Sequence, residues 1–92
     1  MNIRLSKGFG MVSKAVMQDP NISLRDKGLY AYLSTYADKD DSEMTVSINR
    51  MAAECGTTTS TIKRILEDLI NRKVIQRVRR GDRQTAVTSL LK

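Results

Sequence analysis

The sequence predicts a mainly α fold with a small β-hairpin, a three-helix core followed by a wing. Three observations lead there. Apolar residues recur at spacings of three and four in successive stretches, and a lone glycine breaks the pattern between two of them. After Asn71 the period changes to β-like runs on either side of a glycine reversal. The chain has 92 residues, 40% of them hydrophobic and 28% charged, with a single proline. That fits one globular domain over 1–92, with no room for a second core.

The N-terminal segment, 1–21, is mixed. Phe9, Val12, Val16 and Met17 suggest a short packed piece, and Ser13 can cap a brief helix through Gln18 before Asp19-Pro20-Asn21 turns the chain. The first main helix is expected over 22–38. Ser23 and Asp26 form a variant capping box, and Leu29, Tyr32, Leu33 and Tyr36 fall on one face. Gly28 costs roughly 1 kcal/mol against alanine inside a helix, which suggests close packing against a neighbouring backbone. The polar run from Asp38 to Ser42 reads as a loop and Met44-Thr45-Val46 as a short edge strand. The second helix, 47–55, is capped by Ser47, places Ile48, Met51, Ala52 and Cys55 inward, and ends at Gly56. The third, 58–72, opens at Thr57-Thr58, with Thr58 the better cap. It carries the cleanest stripe in the sequence, Ile62, Ile65, Leu66, Leu69 and Ile70. A hairpin over 74–91 follows, its strands joined by Arg80-Gly81-Asp82-Arg83.

Composition closes most routes to catalysis. The chain has no histidine and one cysteine, Cys55. An internal disulfide, the usual zinc sets and any Ser-His or Cys-His nucleophile are therefore excluded. No P-loop is present, so an enzyme is not expected, and neither is a cofactor or a metal. Asp38, Asp40, Asp41 and Glu43 lack the central glycine and terminal glutamate of an EF-hand and read as a solvated loop. Cys55 reads as a small buried hydrophobe. The longest apolar run, Leu29 to Leu33, is five residues. It falls far short of a spanning helix or a signal-peptide core, so a cytoplasmic protein without a membrane partner is expected.

The net charge is +6, and all of the excess lies in the C-terminal half. Residues 1–46 carry six basic and six acidic side chains, whereas 47–92 carry ten basic and four acidic. A one-sided cationic surface of this kind suits a polyanion. The order of elements sharpens the expectation. Two helices meet at the short turn Gly56-Thr57-Thr58, and the second begins with small hydroxyls followed by Lys63-Arg64. Those are the requirements of a helix-turn-helix whose second helix enters a major groove. Hydroxyls and open backbone N–H groups at its start suit phosphate oxygens, and the longer cations reach phosphates or base edges. The hairpin's arginines suit flanking backbone or a minor groove. The expected contacts with double-stranded DNA are therefore Thr58, Thr59, Ser60, Thr61, Lys63 and Arg64, with Arg77, Arg79, Arg80 and Arg83 from the hairpin.

The stretch from Ser47 to Leu69 resembles a winged helix-turn-helix of bacterial type. The matching positions are Gly56, Thr58, Ser60, Thr61, Ile62 and Arg64. Residues 18–33 are similar to the first helix of a narrower group, the N-terminal DNA-binding domains of plasmid and phage replication initiators and DnaD-like primosome proteins. The resemblance implies replication initiation of a phage, plasmid or bacterial chromosome, with self-association or other replication proteins as further partners. A transcriptional regulator on the same scaffold is the alternative, as is a protein-interaction or dimerisation winged helix, which exposure of Tyr30 would favour. One departure stands out. That family usually has glycine between the recognition helix and the wing, where this chain has Lys73. Either the lysine accepts a left-handed backbone or the exit turn differs.

Overall fold

A hydroxyl residue caps every helix in the computed structural model, which describes residues 10–37, 43–80 and 85–91, with the backbone alone at 79, 80 and 85. The elements are α1 (Lys14–Met17), α2 (Leu24–Ser34), β1 (Glu43–Met44), α3 (Ile48–Cys55), α4 (Thr59–Asn71), β2 (Ile75–Arg80) and β3 (Thr85–Leu90). The side-chain oxygens of Ser13, Ser23, Ser47 and Thr58 accept hydrogen bonds from the backbone N–H three residues on, satisfying a donor that the helix cannot. Between α1 and α2 the Asp19 carboxylate accepts from Asn21 N at 2.8 Å, which makes the expected turn. Phe9, the loop residues 38–42 and the hairpin tip 81–84 lie outside the described residues.

The fold is mainly helical, with a three-stranded antiparallel sheet in the order β1-β3-β2. In the hairpin Ile75 pairs with Leu90 and Arg80 with Thr85, while β1 lies on the far edge of β3, Met44 opposite Thr88. The core forms where α2, α3 and α4 meet the inner face of this sheet. It includes Leu29, Leu33, Met51, Ile62, Leu69 and Ile75, each at most 3% exposed. Burying such a side chain contributes about 1.5–3 kcal/mol.

Several expectations are corrected. The first main helix stops at Ser34, short of Asp38. The next N–H groups, those of Thr35 and Tyr36, bond three residues back, to Tyr32 O and Leu33 O at 3.0 Å each. The Thr35 hydroxyl also donates to Tyr32 O, a carbonyl that the next helical N–H would have taken, and the Ser34 hydroxyl donates back to Tyr30 O within the last turn. The buried face of α2 is Asp26, Leu29, Tyr30, Leu33 and Ser34, rotated from the expected stripe. Tyr30 is 1% exposed, and its hydroxyl accepts from Ser13 N across from the N-terminal segment. The exposure that would have favoured a protein-docking role is therefore absent. Tyr32 and Tyr36 are only partly buried.

Ile70 is 38% exposed, because it lies about 100° round α4 from the deeply buried Leu69. Cys55 is exposed at the open end of α3, not buried. Gly28 does not meet a neighbouring backbone either, since a Cβ built there would have nothing within 4 Å. The glycine that does allow close approach is Gly10, where a Cβ would stand 2.8 Å from Thr35 Cα.

Both α3 and α4 end in the same way. Thr57 N bonds to Ala52 O at 2.9 Å with Gly56 left-handed at φ 69°. Val74 N bonds to Leu69 O at 3.1 Å, and Lys73 N to Ile70 O at 2.9 Å. Lys73 is left-handed, at φ 61°. The lysine thus accepts the strained geometry, and the exit turn keeps the form that glycine would give it.

A left-handed backbone costs an L-residue roughly 1–2 kcal/mol, and a glycine's extra freedom in the unfolded chain returns about 0.4–1 kcal/mol of that difference. Lys73→Gly is therefore expected to raise the unfolding free energy by about 0.5 kcal/mol, and Gly56→Ala to lower it by about 1 kcal/mol. Equilibrium urea unfolding of the two variants checks both signs.

Candidate nucleic-acid interface

Two faces divide α4. Ile62, Ile65, Leu66 and Leu69 are buried, and Ser60, Lys63, Arg64, Glu67 and Asn71 are exposed. The buried set fixes the roll of the helix, and the turn at Gly56 fixes where it starts. Thr58 does the capping, not Thr57. Its oxygen accepts from Thr61 N at 3.2 Å and its hydroxyl donates to Thr61 Oγ1 at 3.1 Å. These two threonines thus build the start of the helix. Thr59 and Thr61 are half-buried and Ser60 is open. Among the described residues neither Lys63 nor Arg64 enters an ion pair, the pair there being Arg50–Glu54 at 3.3 Å.

The hairpin is present, but its arginines separate. Arg77 lies on the strand, away from the tip, half-buried, with its Nε donating to Thr88 Oγ1 at 2.9 Å. It borders a cavity of about 380 Å³ with Thr45 to Asn49, at the start of α3. Arg79 and Arg80 stand opposite Ala86 and Thr85 at the far end of the hairpin, and Arg83 lies outside the described residues.

Sequence reasoning missed a polar cluster joining α2 to α3. The Tyr32 and Tyr36 hydroxyls both donate to Glu54 Oε1, Tyr32 at 2.6 Å. Arg50 Nε reaches Glu54 Oε2, and its guanidinium lies 5.5 Å from the centre of the Tyr36 ring. The two tyrosine rings meet edge to face at 5.4 Å. The signals were local: Tyr32 and Tyr36, like Arg50 and Glu54, are one helical turn apart. The tyrosine hydroxyls, with Arg50 in support, hold the Glu54 carboxyl below its usual range. Burial and the Glu54 contact push the Tyr32 phenol up. Partial desolvation of its sulfur, with Glu54 beside it, also raises the thiol of the otherwise exposed Cys55, which disfavours a reactive thiolate.

A second carboxyl couples α2 to α4. Asp26 is 4% exposed. Burial and the neighbouring Asp68 raise its pKa, against the pull of Ser23, Arg72 and Arg25. Arg25 itself is exposed and borders, with Arg64, an open cleft of about 750 Å³ between α2 and α4. Among the described residues no cluster of three His, Cys, Asp or Glu could hold a metal ion, and no helix is long and apolar enough to cross a membrane.

The helix-turn-helix domain family matches residues 21–75, from the turn before α2 to the first residue of β2. The chain belongs to this family. Two solved structures share the helix-turn-helix domain's fold along its whole length. One is described as "N-Terminal domain of DNA binding protein", with a TM-score of 0.69, 16% identity and 83% of that chain covered. The other is described as "Structure of Rep-DNA complex", with a TM-score of 0.68, 16% identity and 84% of that chain covered. At such identity the likeness is one of fold, and it extends the match from the helix-turn-helix to the wing. No curated protein matches the sequence.

The two carboxyls give opposite pH signatures. Glu54, held low, stabilises the fold above its usual value of 4.5, and that contribution is lost as pH falls through its lower folded value. Asp26, held high, favours the fold below its usual 3.8 and loses that contribution as pH rises through its folded value. Urea midpoints across this acid range should therefore show the stability advantage of wild type over Glu54→Gln shrinking on acidification. Measured against Asp26→Asn, wild type should gain relative stability over the same range.

Proposed function

We propose that the chain is a double-stranded DNA-binding module, not an enzyme, which lays α4 in a major groove. Ser60, Lys63 and Arg64 face the groove in this reading, Thr58, Thr59 and Thr61 shape and approach the backbone beside it, and Arg79, Arg80 and Arg83 bring the wing onto flanking DNA. The single observation that carries it is the division of α4. Its apolar stripe is buried by the protein, and its two cations are open and unpaired among the described residues. Had Lys63 and Arg64 been covered, no duplex could reach them. Arg77, held by Thr88 on the sheet and bordering the cavity at the start of α3, reads better as a backbone contact near that helix than as part of the wing tip.

Replication initiation of a phage, plasmid or bacterial chromosome is the role favoured within this reading. It is supported by the resemblance of residues 18–33 to initiator domains and by the shared fold with the protein described as "Structure of Rep-DNA complex". Transcriptional regulation uses the same scaffold and is the alternative. A cytoplasmic setting and partners among other replication proteins, or a second copy of the chain, belong to the same reading.

The test is duplex binding titrated with salt. Arg64→Ala is expected to cost roughly 1–3 kcal/mol where it reads a base and to relax preference at that position. Alanine at Arg79, Arg80 and Arg83 together should weaken all duplexes alike and flatten the salt dependence. Unchanged affinity in a Lys63→Ala, Arg64→Ala double variant at moderate salt would falsify the reading.

A further inference from the structure

We propose that the cleft between α2 and α4 seats the sugar–phosphate backbone of one DNA strand, with Arg25 as its second cation opposite Arg64. The inference rests on α4 being the groove helix. A helix with its side chains is about 10–12 Å across and the major groove about 12 Å wide, so each strand must pass along a flank of the helix. On the α2 side of α4 that flank is the cleft of about 750 Å³, which Arg64 shares with the outward face.

Its lining suits a phosphodiester strand. Arg25 on α2 and Arg64 on α4 border it, both exposed and in no ion pair among the described residues. The acid in the cleft, Glu54, is already paired with Arg50, whose charge offsets its own, and two tyrosine hydroxyls take its other oxygen. Leu29, Ile62 and Ile65, each at most 5% exposed, close its floor with core side chains. Gly28 completes the picture. It sits inside a helix at a cost in helix propensity, yet beyond its own turn of helix no atom comes within 4 Å of where its Cβ would be. Glycine at such a position leaves room for a ligand to approach the backbone.

The experiment compares four variants with wild type on duplexes of unrelated sequence across a salt series. Arg25→Ala should weaken all of them about threefold or more at moderate salt and reduce the salt slope by about one, as loss of one phosphate contact does. Gly28→Leu should fill the cleft and weaken binding by a similar factor while its melting temperature stays at or above wild type. Lys14→Ala removes the same charge from α1, outside the cleft, and should leave the slope unchanged. If Arg25→Ala behaves like Lys14→Ala, or if Gly28→Leu binds as wild type, while the Lys63→Ala, Arg64→Ala double variant is impaired, the cleft inference is overturned and the groove-helix reading stands. If the double variant is also unimpaired, both fall.

Discussion

The packing of four side chains, Ile62, Ile65, Leu66 and Leu69, governs everything else that this molecule presents. Each is at most 5% exposed, and each contributes about 1.5–3 kcal/mol by leaving water. Rolling α4 by one residue would turn it about 100° and bring part of that set out of the core. No exposed contact competes with such a penalty, since surface ion pairs are worth at most about 1 kcal/mol. The direction of Ser60, Arg64 and Glu67 is therefore set from behind, by the core. If α4 is the groove helix as proposed, its outward face is ordered before any duplex arrives, so little is lost on ordering it.

The turns at the two ends of α4 hold that helix in register. Gly56 and Lys73 occupy equivalent left-handed positions and close equivalent hydrogen-bond patterns, but only one of them is a glycine. The lysine is not wholly out of place. A cation beside the C-terminus of α4 meets the negative end of the helix dipole, worth about 0.3–1 kcal/mol at an exposed site, which offsets part of the strain. The exit angle of the hairpin thus follows from the fold's demand on residue 73, whatever side chain stands there.

What could be read from the chain alone was what is decided locally. Ser13, Ser23, Ser47 and Thr58 cap helices because a hydroxyl reaches a backbone N–H three residues on, and no other part of the molecule is consulted. The stripes of α3 and α4 were legible at their centres, where a helix has one buried side. They failed at their shoulders, Cys55 and Ile70, where exposure depends on how far a neighbour extends. The buried face of α2 was misjudged for a related reason. The helix is covered by the N-terminal segment as well as by α4, so Tyr30 goes in and Tyr32 and Tyr36 move to the rim. Of the candidate site, Lys63 and Arg64 were legible because they oppose a clean stripe. Arg25 and the Tyr32–Tyr36–Glu54–Arg50 cluster were not, because only the crossing of α2 over the helix-turn-helix brings them together.

The charges divide by task. The Glu54 carboxylate is taken up by Tyr32, Tyr36 and Arg50, and the Asp26 carboxyl lies buried between α2 and α4 near Arg72 and Asp68. The Glu54 cluster ties α2 to α3, whereas burial and Asp68 disfavour a charge on Asp26, so neither adds much net field outside. Lys63, Arg64 and Arg25 make no ion pair among the described residues, and they lie on one side of the molecule. Salt acts differently on the two sets. Mobile ions at physiological strength screen open charges beyond about 8 Å, whereas close hydrogen-bonded contacts are screened much less. Because the core and not the surface charge fixes α4, a rise in ionic strength strips the field from its exposed cations without loosening the frame that aims them. On the proposed reading, the domain would keep one shape over a range of salt in which affinity for a duplex changes by orders of magnitude.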